Sequence, residues 1–157
     1  MRGFCLMLFR IGPAAWVGAA TLFVLITISL TRSPEFDSEM RMRMSLARFP
    51  SFYVVEFTLL GTAVVAGFFA RRHGELGRLR SWLGLGLVTV ALLGAIADYF
   101  LVYRPLAKMM ADRTLDDTFR TLHETSKHGN FTIVAIVFVA AVVINWPSRA
   151  HRRMKPA

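Results

Sequence analysis

Apolar residues gather into four runs along this chain: Ile11 to Leu30, Phe52 to Ala70, Trp82 to Val102 and Phe131 to Trp146. A helix rises about 1.5 Å per residue, so roughly 20 residues cross a hydrocarbon layer of about 30 Å. Each run therefore predicts one membrane-spanning helix. The last run is short, but the polar segment before it is helix-prone, so the fourth helix should start early and protrude past the membrane. The segment from Arg71 to Ser81 is short and makes the second and third spans a hairpin. The predicted fold class is all-α: a polytopic membrane protein, an antiparallel four-transmembrane-helix bundle with amphipathic outer helices. With 157 residues it forms one domain, residues 1–157.

Two polar stretches add helices to this picture. Ser33-Pro34-Glu35 reads as an N-cap, a proline at the first helical position and an acid in the first turn. The residues up to Arg48 alternate charge with Phe36, Met40, Met44 and Leu46, which predicts an interfacial helix ending at Phe49-Pro50. Thr114 with Asp117 three residues on matches a capping box. Leu115, Phe119 and Leu122 then make an apolar stripe leading into the fourth span.

Composition agrees: 55% of residues are hydrophobic and mean hydropathy is +0.48. The net charge of +9 would suggest nucleic acid in a soluble protein. Here the basic residues sit between apolar spans, where lipid head groups and topology account for them, and nucleic acid is not an expected partner. Lys and Arg number ten on the side of the N-tail, the 71–81 loop and the C-tail, against nine on the other side. The first set is concentrated beside the spans (Arg71, Arg72, Arg78, Arg80, Arg149, Arg152, Arg153, Lys155), which by the positive-inside rule predicts cytoplasmic N- and C-termini. Trp16, Trp82 and Trp146 fall near the predicted cytoplasmic ends, and Tyr53, Tyr99 and Tyr103 near the outer ends, as interfacial rings would. The apolar start, Phe4 to Phe9 between Arg2 and Arg10, reads as part of an uncleaved anchor. The expected location is integral to a membrane, the cytoplasmic (inner) membrane of a bacterium.

Two spans each carry one acid, Glu56 and Asp98, about one turn inside the outer end. Glu56 shares a helix face with Ala63, Gly67 and Ala70, and Asp98 with Gly84, Ala91, Gly94 and Ala95. Small residues at that spacing mark helix–helix contact in membranes, so both carboxylates should face inward. An ionised acid at the bilayer centre costs on the order of 3 kcal/mol on insertion scales, so each needs a partner. Candidates at this level are Arg48, Arg104, His128 and Asn130, with Thr27, Thr58 and Thr132. Neighbouring acids cannot both ionise cheaply; one would hold a proton or the two would share a cation. Two readings stand: a proton- or cation-handling site opening outward, or a structural pair fixing helix register. The shallow position of both residues favours the second.

Other chemistry finds little footing. Cys5 is the single cysteine, which excludes an internal disulfide and any multi-cysteine metal site. His123 and His128, five apart on one helix, diverge and make a poor metal pair; Glu124 and His128, four apart, suggest a surface ion pair. No span holds a histidine for haem, and His73 and His151 lie among basic residues. Met40, Met42 and Met44 with Met109 and Met110 could suit Cu(I), but Arg41 and Arg43 interleave and would repel it. No catalytic, cofactor or metal site is expected, and no enzyme.

The stretches AAWVGAATLFV, LARFPSFYVVEF and FRTLHETSKHGN resemble the transmembrane protein 205-like (DUF4149-type) family of small four-helix membrane proteins. The matching positions are Trp16, Gly18, Phe49, Pro50, Tyr53, Phe119, Leu122, His123, Ser126 and Asn130, spread over most of the chain. Glu124 departs from the pattern, standing where a glycine usually follows the histidine. The resemblance implies four helices and a membrane location, and no established activity. The expected function is a non-enzymatic accessory subunit or scaffold that packs in the lipid bilayer against other membrane subunits or copies of itself. The alternative is a small oligomeric transporter or channel-like protein handling protons, cations or a basic substrate through Glu56 and Asp98.

Overall fold

The computed structural model describes residues 2–71, 76–114 and 116–147. It is all-α, with no strand among the described residues: α1 (Arg2–Arg32), α2 (Ser38–Ala70), α3 (Arg78–Asp98), a π-helical segment (Tyr99–Tyr103), α4 (Arg104–Ala111) and α5 (Asp117–Asn145). From α3 through α4 the chain runs on without a break. This leaves four continuous helices of 29 to 34 residues, each long and apolar enough to cross a membrane. At about 1.5 Å per residue they reach roughly 45 Å or more, past the hydrocarbon layer on at least one side. The fourth helix does begin early, at Asp117.

Three local expectations change. The outer segment before the second span is not a separate interfacial helix, because α2 continues from Ser38 through Pro50. Proline removes one N–H and crowds the preceding turn, but here its ring lies on the exposed side and the helix absorbs it. The cap is Asp37 rather than Ser33: its Oδ1 accepts from the Met40 N–H at 2.7 Å, while Pro34 and Glu35 form a turn. Asp116 likewise displaces the Thr114–Asp117 box, accepting from the Phe119 N–H at 3.0 Å. A carboxylate beside an unpaired helix N-terminus satisfies donors and meets the dipole at once. The third span also overshoots Val102, running to Ala111. Leu115, Arg72, His73, His151 and the C-terminal basic residues from Arg149 on lie outside the described residues.

The four long helices form a ring in which α1 packs on α2 and α5, and α3 packs on the same two. Partner numbers along α1 and α2 run in opposite senses: Phe9 meets Gly67, Gly12 meets Ala63, and Phe23 meets Phe52 and Phe49. Where the helices approach most closely, a β-carbon is excluded. One added at Gly84 would lie 2.5 Å from the Ile144 side chain, and one at Gly67 would lie 2.7 Å from the buried Phe9 ring. Of the inward stripe foreseen from spacing, Ala63, Gly67, Ala70, Gly84, Ala91 and Ala95 are buried and Gly94 is half-buried.

Arginines tie this end together. Arg80 donates from Nη2 and Nε to the Val143 carbonyl at 2.8 and 3.2 Å and also reaches the Ile144 and Trp146 carbonyls. These are the last carbonyls of α5, left unpaired by the end of the helix, so the guanidinium caps it and meets its negative pole. Arg71 lies 3.8 Å from the Phe68 ring and 4.9 Å from that of Trp82, joining the end of α2 to the start of α3.

Gly84→Val should destabilise the fold by about 1–3 kcal/mol through overpacking against Ile144. Gly86→Val, where a β-carbon meets nothing within 4 Å, should change it little. Thermal unfolding in one detergent measures both; equal effects would mean that the close approach at Gly84 does not matter.

Candidate functional site

The two acids lie inside the ring of helices, 0% exposed at Glu56 and 6% at Asp98. Tyr53, Glu56 and Leu60 succeed one another on the buried face of α2 at spacings of three and four, so Tyr53 sits one turn from Glu56. Its hydroxyl donates to Asp98 Oδ2 at 2.6 Å. The same oxygen accepts from Asn130 Nδ2 at 3.2 Å. Asn130 Nδ2 also contacts the Ser126 carbonyl at 2.9 Å and Ser126 Oγ at 3.1 Å. Asp98 Oδ1 faces Gly129, where an added β-carbon would come within 3.6 Å. One carboxylate thus joins α2, α3 and α5.

The backbone at Asp98 is shaped for this. Immediately after it the helix widens, and the Arg104 N–H bonds back five residues to the Tyr99 carbonyl. A π turn takes up one extra residue and shifts the register of the helix beyond it. Tyr103 and Leu106 consequently face inward beyond Asp98, although an unbroken α-helix would carry them round from that face; Val102, four residues on, stays on it either way. Around the site the rings of Tyr53, Tyr99 and Tyr103 pack at centroid distances of 4.9 to 5.6 Å. Phe57 lies 5.7 Å from Tyr99, and Phe49 and Phe23 extend the cluster towards α1.

Glu56 is placed very differently from Asp98. Both its oxygens are buried and neither has a hydrogen-bond partner among the described residues. One turn along the same face Tyr53 holds Asp98, so the ionisable side chain brought to this layer from α3 is another acid. Trp16 on α1 is likewise buried (1% exposed), its indole N–H without a partner among the described residues. The pairings of Gly12 with Leu59 and Ala63, and of Phe23 with Phe52, set Trp16 at the level of Glu56.

Of the partners expected for the acids, Asn130 reaches one of them. Arg48 instead lies over the Phe23 ring at 5.7 Å, with Nε on its own helix at the Met44 carbonyl. Arg104 is exposed beside Phe100, and His128 is exposed. The hydroxyls of Thr27, Thr58 and Thr132 bond to carbonyls four residues back in their own helices. Arg104 at its exposed helix position finds water more cheaply than a buried acid, whereas Arg48 is half-buried against Phe23 and does not reach either acid. The aromatic reading changes too: Tyr53 and Tyr103 are core residues and Trp16 is the largest fully buried side chain, so none of the three is an interfacial ring. The spacing of Tyr53 from Glu56 on one face is the signal in the sequence that places it.

Of the motif residues, Phe49 joins the ring cluster and Leu122 is half-buried, while Pro50 and His123 are exposed. His123 stacks on Phe119 at 6.0 Å. Glu124 pairs with Lys127 at 3.0 Å from both oxygens rather than with His128, and that ammonium holds its carboxyl below the usual range. Three residues on, Lys127 shares the surface of Glu124, within reach of both its oxygens. Glu39 bridges Arg43 at 2.7 Å and Arg113 at 3.0 Å, linking α2 to the turn after α4. No group of three or more His, Cys, Asp or Glu is placed to hold a metal ion among the described residues.

Comparisons with protein-family models, with curated proteins and with solved structures gave no match.

Tyr53→Phe should cost about 1 kcal/mol of stability, the scale of a hydrogen bond between membrane helices, and the loss should shrink in an Asp98→Asn background. Tyr103→Phe, also buried but without a hydroxyl partner among the described residues, serves as the control. Additive losses in the double variant would mean that the Tyr53–Asp98 contact carries no energy of its own.

Proposed function

We propose that the chain is an integral membrane protein with four alternating spans and both termini on the cytoplasmic side, acting as a non-enzymatic accessory subunit or scaffold. One observation carries this reading. All four long helices present large apolar side chains outward, such as Leu22, Leu25, Val54, Phe69, Leu93 and Phe138. Polar contacts between them gather at Asp98 inside the ring and at the end of α5, with the Glu39–Arg113 pair exposed beyond the apolar stretches. Such an exterior suits lipid tails and the flanks of other membrane helices. The resemblance to transmembrane protein 205-like proteins and a bacterial inner-membrane location belong to the same reading.

A second reading is favoured by a different observation. Glu56 is sealed inside the bundle with neither oxygen bonded among the described residues, and a register-fixing acid has no need to be left so. That supports a small transporter, oligomeric if four spans are to suffice, which handles protons or cations at Glu56 and Asp98.

A reporter active only in the cytoplasm should work when fused to the C-terminus, and one active only outside should not; the reverse would overturn the topology. Purification in mild detergent should yield a stoichiometric membrane partner or a defined self-assembly. A lone monomer whose proteoliposomes carry ions in a Glu56-dependent way would replace the accessory role with the transport one.

A further inference from the structure

Glu56 and Asp98 share a layer but not an environment. Asp98 Oδ2 accepts from Tyr53 and Asn130, the acceptor-only chemistry of a carboxylate. Glu56 has no donor on either oxygen among the described residues and no exposed surface. An uncompensated buried charge costs several kcal/mol, more than a structure of modest stability sustains. Of the polar groups near this layer, Tyr53 comes from α2, Asp98 from α3, and Tyr99 and Tyr103 from the π segment. From α1 comes Trp16, while Arg10 and Arg32 stand away from this level. From α5 come Asn130 and Ser126, with His128 turned outward. None of these supplies a cation to Glu56.

We propose that Glu56 and Asp98 hold one proton between them, resident on Glu56, so that Glu56 is an intramembrane proton-binding site with Asp98 as its gate. This rests on the second reading above and names its ion. Asp98 keeps the little exposure the pair has, and its Oδ1 faces the side-chain gap at Gly129. A proton arriving from the nearer membrane surface meets Asp98 first. Its transfer to Glu56 breaks an O–H bond on one carboxyl and forms one on the other. With one proton on the pair the single negative charge is the same before and after this transfer, and the doubly ionised pair is the costly state that the arriving proton relieves. Tyr53, bonded to Asp98 and one turn from Glu56, orients the gate.

The test is labelling with dicyclohexylcarbodiimide, an apolar reagent that adds to neutral carboxyl groups in membranes, using the full chain in lipid nanodiscs with and without sodium ions. The expected result is one adduct on the peptide carrying Glu56, lost in Glu56→Gln, kept in Asp98→Asn and unchanged by sodium. Infrared spectra should show a neutral-carboxyl band lost in Glu56→Gln alone. Adduct on Asp98 in place of Glu56, no adduct with no such band, or protection by sodium would each overturn the proposal, the last by making a metal cation the occupant. Should Glu56→Gln fail to fold, the adduct position and the band in the unaltered protein decide. Proton flux into vesicles, read with a pH-sensitive dye, separates the two levels. Adduct on Glu56 with no flux retains the proton site and removes transport; Glu56-dependent flux with no adduct retains transport and removes this site.

Discussion

Helices in hydrocarbon gain nothing by hiding apolar side chains from a solvent that is itself apolar, so contact between them must come from close fit and from polar bonds. Every other feature of this chain answers to that constraint. The helices are long and unbroken because each backbone N–H and C=O must find its partner within its own segment. Their inward faces are small where backbones must meet and polar where they must be told apart. Their outward faces are free to be large and greasy.

The two ends of the molecule meet the constraint by different means. Where α2 ends and α3 begins, Phe9 fills the space left by Gly67 and Gly84, and arginines seal the ends of helices with cation–π contacts and carbonyl caps. Near Asp98 the fit is looser in shape and richer in chemistry. A cluster of rings surrounds one carboxylate with two donors, and the π turn beyond it keeps Tyr103 and Leu106 on the inner side. The first end is built for rigidity. The second concentrates the buried acids, and any movement of charge would have to occur there.

Much of this is legible from residue spacing. Apolar run length locates four helices, and the small-residue stripes show which faces of α2 and α3 turn inward, taking Glu56 and Asp98 with them. The features that spacing misses have a common cause. Propensity rules treat each segment alone, so Pro50 reads as a stop although α2 passes through it, and Ser33 as a cap although Asp37 offers a carboxylate closer to the first free N–H. Sorting aromatic residues by depth ignores the face they occupy, which puts Tyr53, Tyr103 and Trp16 at the interface instead of in the core. The π turn leaves no mark that composition or periodicity could reveal, because one extra residue in a helix shows only in what it does to register.

Arg80 joins the beginning of the third span to carbonyls more than sixty residues later. The contact cannot close until nearly the whole chain has been synthesised. Until then the guanidinium waits at the membrane surface, and the cap of the final helix is missing. Insertion of the spans and locking of the assembly are therefore separate events in time. A chain cut short before the fourth span would leave the Arg80 guanidinium without the carbonyls it caps.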